Sequence, residues 1–385
     1  MRGSGRVRVG AAVTAGRDLV ARGAGARAAG GDVRRHNLAL VLGEVVAAEP
    51  VSRAALAART GLTRGTVSSL VEELLDAGLL DELAAERSGP GRPANPLQLN
   101  RSGPAGLGVE IEVDHISACV VDLTGSVRAT ARIPSAHRDA HPGVAVGRAV
   151  ALARTVRAEA GLEVVGAAVA VPGVVAADGV VVRAPNLPQW SGAEIGPLFD
   201  GLPVTTANEA DLAALAELWF AAGPPDALYV SGGVGVGAGI VLGGQLFRGV
   251  GGRAGELGHV VVDPDGPNCR CGGHGCLEQV AGQEALLRAG RTTDLDALPP
   301  HVLDGAARAL GVALAGAVNL LDVPVVVLGG IYPRLGEPLR AAVHDRLCER
   351  VVHRSDVEVR LSALGPGGAL RAAAASVVRE RLRRP

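Results

Sequence analysis

The sequence predicts an α/β protein: an N-terminal winged helix-turn-helix, then two α/β lobes with a cleft between them. Three observations predict it. From about residue 35 to residue 100, three short amphipathic segments are followed by two strand-like segments around a Gly- and Pro-rich tip. Beyond residue 100, strand meanders and helices alternate, and the plan occurs twice. Between Glu256 and Glu278 the chain packs His259, Cys269, Cys271 and Cys276 into one short run.

Composition bounds the rest. A chain of 385 residues can build two or three domains with substantial cores. Its formal net charge of −1 excludes a global electrostatic drive toward DNA or membrane, so any nucleic-acid surface is local. All its basic residues apart from histidine are Arg. No apolar run reaches the roughly 18 residues that span a bilayer. The N-terminus carries Arg without the apolar core of a secretory signal. The expectation is a cytoplasmic protein with no membrane partner. Cys119 and Cys348 stand apart from the other three Cys and read as core thiols.

Residues 1–31 hold six Arg against one Asp and show poor hydrophobic periodicity, which predicts a disordered tail. A basic arm on phosphates and a mis-assigned translation start are the alternatives. The segment 32–100 reads as the winged helix-turn-helix. Leu38, Val41, Leu42, Val45 and Val46 recur at helical spacing. Ser52 is a natural N-cap for a short helix that opens with Arg53, and Gly61 ends it. Thr63 caps a third helix whose buried stripe is Val67, Leu70, Val71, Leu74 and Leu75. Its polar face, with Arg64, Thr66, Ser68 and Ser69, suits base edges and phosphates in a major groove. The segments Leu79–Leu83 and Pro96–Leu99 read as the strands of a wing. Arg87 and Arg92 at its Gly-flanked tip suit a narrow minor groove. The nucleic-acid expectation therefore rests on Ser52, Arg53, Thr63, Arg64, Thr66, Ser68, Ser69, Arg87 and Arg92. A three-helix packing module with a solvated face, followed by a flexible linker, is the bland alternative.

Residues 101–225 read as the first lobe. A three-stranded meander turns at Asp114-His115 and Thr124-Gly125, followed by a helix from about Pro142 to Ala160. A buried strand ends at Pro172-Gly173, an irregular loop carries Asn186, and Asn208 caps a helix with Glu209 and Asp211 in its first turn. Residues 226–385 repeat the plan: strand ALYVSG, glycine-rich GVGVGAGIV, strand QLFRG, the Cys-rich loop, helices, strand PVVVLGG and a final strand–helix pair whose helix could pack back on the first lobe.

One imidazole and three thiolates form a closed tetrahedral zinc set, which makes the metal structural. A buried thiol cluster is the bland alternative. Gly233, Gly235 and Ala238 fit a dinucleotide fingerprint on paper, but an apolar strand follows them where that fold needs a helix.

These motifs resemble the ROK family (repressors, open reading frames, kinases), in particular its winged-helix transcriptional regulators. The resemblance runs from about Arg35 to the C-terminus. It rests on VSGGVGVGAGIV, GELGH, CRCGGHGCLE and ANEADLAALAEL, and on SRAALAARTGLTRGTVSSLVEELLDAGLL with SGPGRP at the N-terminus. It implies a ribonuclease-H/actin-like, two-lobed sugar-kinase fold. It also implies sugar-hydroxyl ligands at Asn186, Asn208, Glu209, Glu256, His259 and Glu278, with His259 also on zinc. Operator DNA and a small-molecule sugar effector are the implied partners, and a homodimer or homotetramer the implied assembly.

The sequence departs from the kinase pattern in four places. VEIEVDHI places Glu110, Glu112 and Asp114 where the family's kinases carry an Asp-x-Gly-x-Thr-like phosphate loop. Val234 stands where those kinases have Thr. Glu209 replaces their catalytic Asp, and Asp211 replaces a second Asn. The expectation is a sugar-binding regulator, most simply a repressor, without catalytic residues. The alternative is an ATP-dependent sugar kinase fused to a DNA-binding domain.

Overall fold

The computed structural model describes residues 30–84, 95–199, 201–352 and 356–385. The tail through residue 29 and the wing tip with Arg87 and Arg92 lie outside the described residues.

The N-terminal unit comprises α1 (Gly30–Ala48), α2 (Arg53–Thr60), α3 (Arg64–Asp76), β1 (Leu80–Glu82) and β2 (Leu97–Leu99). Helix α1 begins five residues before Arg35, so helix enters the stretch expected to be tail. Ser52 and Thr63 cap α2 and α3, accepting from the backbone N–H of Ala55 and Thr66. Gly61 ends α2 in the left-handed region at φ 73°, which lets the chain turn directly into α3. Strands β1 and β2 pair antiparallel, Leu80 opposite Leu99, and are shorter than the sequence suggested.

Lobe 1 contains β3 (Ala105–Ile111), β4 (His115–Val121), β5 (Val127–Pro134), α4 (Pro142–Ala160), β6 (Val164–Val171), β7 (Val174–Val175), β8 (Val180–Arg183), β9 (Ala193–Glu194), β10 (Val204–Asn208) and α5 (Glu209–Phe220). Its main sheet has the order β10-β6-β3-β4-β5. The loop that read as irregular around Asn186 contains more order than periodicity revealed. Strands β7, β8 and β9 form a small sheet there, and a single 3-10 turn buries Trp190. Two- and four-residue strands are too short to leave a hydrophobic period.

Lobe 2 contains β11 (Ala227–Gly232), β12 (Val236–Leu242), β13 (Gln245–Leu246), α6 (Glu278–Ala281), α7 (Gln283–Gly290), α8 (Pro300–Leu321), β14 (Val325–Gly330), α9 (Tyr332–Cys348), β15 (Glu358–Leu361) and α10 (Gly368–Arg383). The QLFRG strand is real for only two residues. The sheet order is β13-β12-β11-β14-β15. In each lobe an antiparallel meander is extended by two parallel strands, so the repeat suggested by the sequence is a repeat of topology. Helix α8 is long and apolar enough to cross a membrane, but 56% of its apolar window is buried inside the protein, against the sheet of lobe 2.

The lobes exchange helices. Helix α5, from lobe 1, packs on β11 and β12, while α10, from lobe 2, packs on β3, β4 and β6. Glycines permit both approaches. A Cβ on Gly108 would sit 2.4 Å from the Leu370 carbonyl oxygen, and one on Gly239 would sit 2.5 Å from that of Ala210. Helices α5 and α10 also pack on each other. The winged helix is part of this frame. Leu38, Val41, Leu42 and Val45 of α1 share one buried cluster with Cys119, Val121 and Leu123 around β4, and with Leu370, Ala374 and Val378 of α10.

Candidate functional site

The main cavity is the cleft between the lobes, and it encloses about 280 Å³, near the lower end of small-ligand pockets. Asn186, Asn208, Glu209, Glu256, His259 and Glu278 all line it. These six residues span 93 positions of sequence, and the structure brings them to one place.

Each is held by its neighbours. The Asn208 carbonyl oxygen accepts from Asp211 N at 3.1 Å and its amide donates to the Gly173 carbonyl at 2.7 Å. The helix-cap role is thus real and leaves spare hydrogen-bonding capacity on both ends of the amide. Asn186 accepts from Arg270 at 2.9 Å and donates to Glu278 at 3.4 Å. Glu278 is buried, and the same oxygen, Oε2, accepts from Val236 N at 3.3 Å. Gly235 makes that approach possible, because a Cβ there would lie 2.0 Å from Glu278 Oε2. Glu209 Oε1 accepts from the Ser231 hydroxyl at 3.1 Å. Burial, then the Glu110 carboxylate, push Glu209 up to about 7.

Sequence reading missed the depth of the acidic end. Glu110, Glu112 and Asp114 line the same cleft as Glu209. Glu112 is raised well above the usual carboxylate range, by burial first and then by Glu209 and Glu110. His115 answers part of this charge, with Nε2 3.5 Å from Glu110 and Nδ1 2.6 Å from Asp114. Burial opposes its charged form, yet the two carboxylates outweigh burial and raise it to about 9. The alternating Glu110-x-Glu112-x-Asp114 was the available signal: Glu110 is on β3, and Glu112 and Asp114 follow it in the turn to β4. Asp211 behaves differently. Its carboxyl is buried 3.6 Å from Arg248, outside the cleft lining. Burial lifts it to about 6 against the pull of Arg248.

Beside the cleft, His259, Cys269, Cys271 and Cys276 place one donor atom each, all within 4.8 Å of one another. Cys271 and Cys276 have their sulfurs 3.7 Å apart, and Cys269 Sγ is 3.8 Å from His259 Nδ1. The other imidazole nitrogen, Nε2, faces Glu256 at 3.8 Å. The four residues can hold a metal ion, and the loop they tie carries Glu256 and Glu278 at its two ends.

On the winged helix, Arg64 and Ser69 are exposed on α3, while Thr66 and Ser68 are half-buried. Ser52 and Thr63 spend their side-chain oxygens on caps, and Thr63 also pairs with the Thr66 hydroxyl at 2.9 Å. Arg53 is ion-paired with Glu82 on β1. Arg34 bonds Glu73 and lies 3.4 Å from the Ser69 hydroxyl, a contact that sequence did not anticipate.

Comparison with known proteins gives a consistent result. The ROK family model matches residues 106–380, and the MarR family model matches residues 39–89. The xylose repressor of Bacillus spizizenii is 28% identical over 345 residues, covering 82% of this chain and 88% of that protein. The glucokinase of Thermotoga maritima is 33% identical over 248 residues, covering 53% and 76%. A crystal structure of a ROK family transcriptional regulator, described as a homologue of the E. coli MLC protein, superposes with a TM-score of 0.75. It is 27% identical, covering 91% of this chain and 97% of that one.

Proposed function

The chain belongs to the ROK family, and from that premise we propose that it is a sugar-responsive transcriptional repressor that a cleft-bound sugar releases from operator DNA. The observation that carries this reading is the shared core of the winged helix, lobe 1 and α10. A DNA-binding unit on a flexible tether could not feel the cleft. This one shares a buried core with β4 of lobe 1 and with α10.

The coupling route is short. Helix α5 starts in the cleft at Asn208 and Glu209. Its 12 residues span about 18 Å. It ends at Trp219 and Phe220, which pack against the winged-helix core. There the guanidinium of Arg371 lies 3.7 Å from the Phe220 ring centre and that of Arg379 4.5 Å from the Trp219 ring centre. Closure of the cleft on a ligand would shift α5 against α10 and tilt the winged helix. A sugar that binds the closed state better then lowers DNA affinity by the same differential free energy.

In this reading Asn186, Asn208, Glu209, Glu256, His259 and Glu278 pair with sugar hydroxyls, each of which is both donor and acceptor. The four-residue cluster holds a structural zinc. A tetrahedron with Zn–S bonds of about 2.3 Å has edges of about 3.7–3.8 Å. The Cys271–Cys276 sulfur separation of 3.7 Å matches that edge, and the Cys269 Sγ–His259 Nδ1 separation of 3.8 Å lies slightly beyond the about 3.5–3.6 Å that a shorter Zn–N bond gives. His259 would ligate through Nδ1 and leave Nε2–H, 3.8 Å from Glu256, facing the cleft for a sugar hydroxyl. With four protein ligands the metal serves the loop and has no open position for chemistry.

Arg64, Thr66, Ser68 and Ser69 of α3 would enter the major groove, with Thr63, Ser52 and Arg53 near the backbone and Arg87 and Arg92 on the wing. A homodimer or homotetramer would match two-fold half-sites, and the site of action is the cytoplasm. The working domain boundaries are 32–100, 101–225 and 226–385.

The test is binding of the full chain to its own upstream DNA at fixed salt, titrated with a panel of sugars. Release by one sugar, with a tenfold or greater loss of affinity, supports the reading. Tight DNA binding that no sugar changes contradicts it. A second reading, a sugar kinase with an added DNA-binding domain, is favoured by one observation: Glu209, lifted to about 7 in the cleft, has the proton affinity of a general base. ATP-dependent sugar phosphorylation that disappears in Glu209→Gln would establish it.

A further inference from the structure

We infer that the cleft takes the uncharged sugar and refuses its phosphate ester, an inference that rests on the sugar-binding reading above. Three features carry it, and each is a place where a phosphate would otherwise sit.

The first is the opening hairpin of lobe 1. Where β3 and β4 turn, Glu110, Glu112 and Asp114 face the cleft together with Glu209. Burial first, and then the neighbouring carboxylates, raise the proton affinities of Glu112 and Glu209, so the group already carries some repulsion of its own. A phosphate dianion placed there adds like charge at low dielectric.

The second is the helix that points its N-terminus into the cleft. A helix N-terminus attracts anions through its free N–H groups and dipole. In α5 part of this capacity is taken by the chain itself. Asn208 accepts from Asp211 N, and Glu209 sets a carboxyl in the first turn on the cleft side.

The third is the glycine-rich turn between β11 and β12. Such a turn can wrap backbone N–H groups around a phosphate. Here Val236 N donates to Glu278 Oε2, and Gly235 lies against the same carboxylate with no room for a Cβ. The Glu278 carboxyl group already occupies this turn.

The cations around the cleft do not offset this. His115 is committed to Glu110 and Asp114. Arg248 faces Asp211 and Arg270 faces Glu284 at 3.0 Å. Arg132 lines the cleft near Asp114, whose carboxyl it helps to hold low after His115. Hydroxyl groups meet no such obstacle, because a carboxylate or a protonated carboxyl can pair with either side of an O–H.

The experiment is calorimetric titration of the full, metal-loaded chain with glucose, N-acetylglucosamine and xylose. Each is run beside the phosphate ester of its terminal carbon, with inorganic phosphate as a further probe. The expected result is that at least one free sugar binds and its phosphate ester binds at least about 100-fold more weakly. In Glu110→Gln/Glu112→Gln the gap should narrow by about tenfold or more, and Glu112→Gln alone provides a milder version if the double variant folds poorly. A phosphate ester that binds as tightly as the free sugar, or more tightly, overturns the inference and leaves the sugar-binding reading intact. Binding of neither form overturns both. Tight binding of inorganic phosphate alone also overturns the inference, because it locates an anion site that the three features exclude.

Discussion

Lobe 1 and lobe 2 follow the same five-stranded course, yet the hairpin that opens each one meets the cleft with opposite chemistry. At the end of β3 and in its turn to β4 the chain hangs carboxylates, Glu110, Glu112 and Asp114. Between β11 and β12 it presents glycine backbone, Gly232 to Gly235, and borrows a carboxylate from Glu278, 42 residues beyond Val236. The sheets tolerate this divergence because their stability resides elsewhere, in the buried faces of β3, β6, β11 and β14 and in the exchanged helices. The lobes also carry different additions. Lobe 1 is welded to the winged helix, and lobe 2 holds the metal loop. On the proposed function, one fold used twice would supply the output on one side and ligand positioning on the other.

The largest way to break this asymmetry is to remove the metal. Elemental analysis should give one zinc per chain, and Cys276→Ser should lose it. Apparent stability of lobe 2 should drop by more than about 3 kcal/mol, since structural zinc contributes folding free energy directly. Sugar binding should vanish with the order of Glu256 and Glu278, while DNA binding survives. Loss of DNA binding with retention of sugar binding would reverse the assignment of the two lobes.

The helix exchange gives the next effect. Gly108→Val presses a side chain into the α10 backbone, and Gly239→Val does the same to α5. Each should destabilise by about 3 kcal/mol or more in urea unfolding. Only Gly108→Val should also weaken DNA binding, because α10 supports the winged helix.

A smaller effect is pH-dependent. Glu209 is raised from 4.5 to about 7, so the folded state holds a proton that the unfolded state has lost. Its contribution makes stability fall as pH rises from about 4.5 to 7 and stay level above that. Glu209→Gln removes this fall, and at pH 8 the variant should gain about 2–3 kcal/mol over the wild type, relative to pH 5. Glu112 and Asp211 shift in the same direction, so the slope is reduced and not abolished. An unchanged slope would place the charge stress elsewhere.

The smallest effect on stability should come from Arg64→Ala. The side chain is exposed on α3, so melting should change by less than about 0.5 kcal/mol. Upstream DNA should bind about tenfold more weakly, with a shallower salt dependence.

The winged helix was legible because caps and stripes are local: Ser52, Thr63, Gly61 and the Val67 to Leu74 stripe each act within a few residues. The metal set was legible because its four donors lie within 18 positions of one another. The carboxylate cluster was only partly legible. Glu110 and Glu112 showed their shared face, but their meeting with Glu209 depends on β3 and β10 flanking β6 in the sheet. The packing of α1 on α10 joins ends of the chain more than 300 residues apart, and no local pattern encodes that. Asp211 stands at one of the departures from the kinase pattern, and the structure turns it to Arg248, because a helix residue's direction depends on its turn and not on its neighbours.

The most direct test measures the coupling in both directions on the full chain. DNA affinity would be determined with and without a saturating cleft sugar, and sugar affinity with and without saturating operator DNA. Linkage requires the two factors to be equal, and the shared core of α1, α10 and lobe 1 predicts a factor of about ten or more, worth about 1.4 kcal/mol. A sugar that binds the cleft while DNA affinity stays the same would contradict the account.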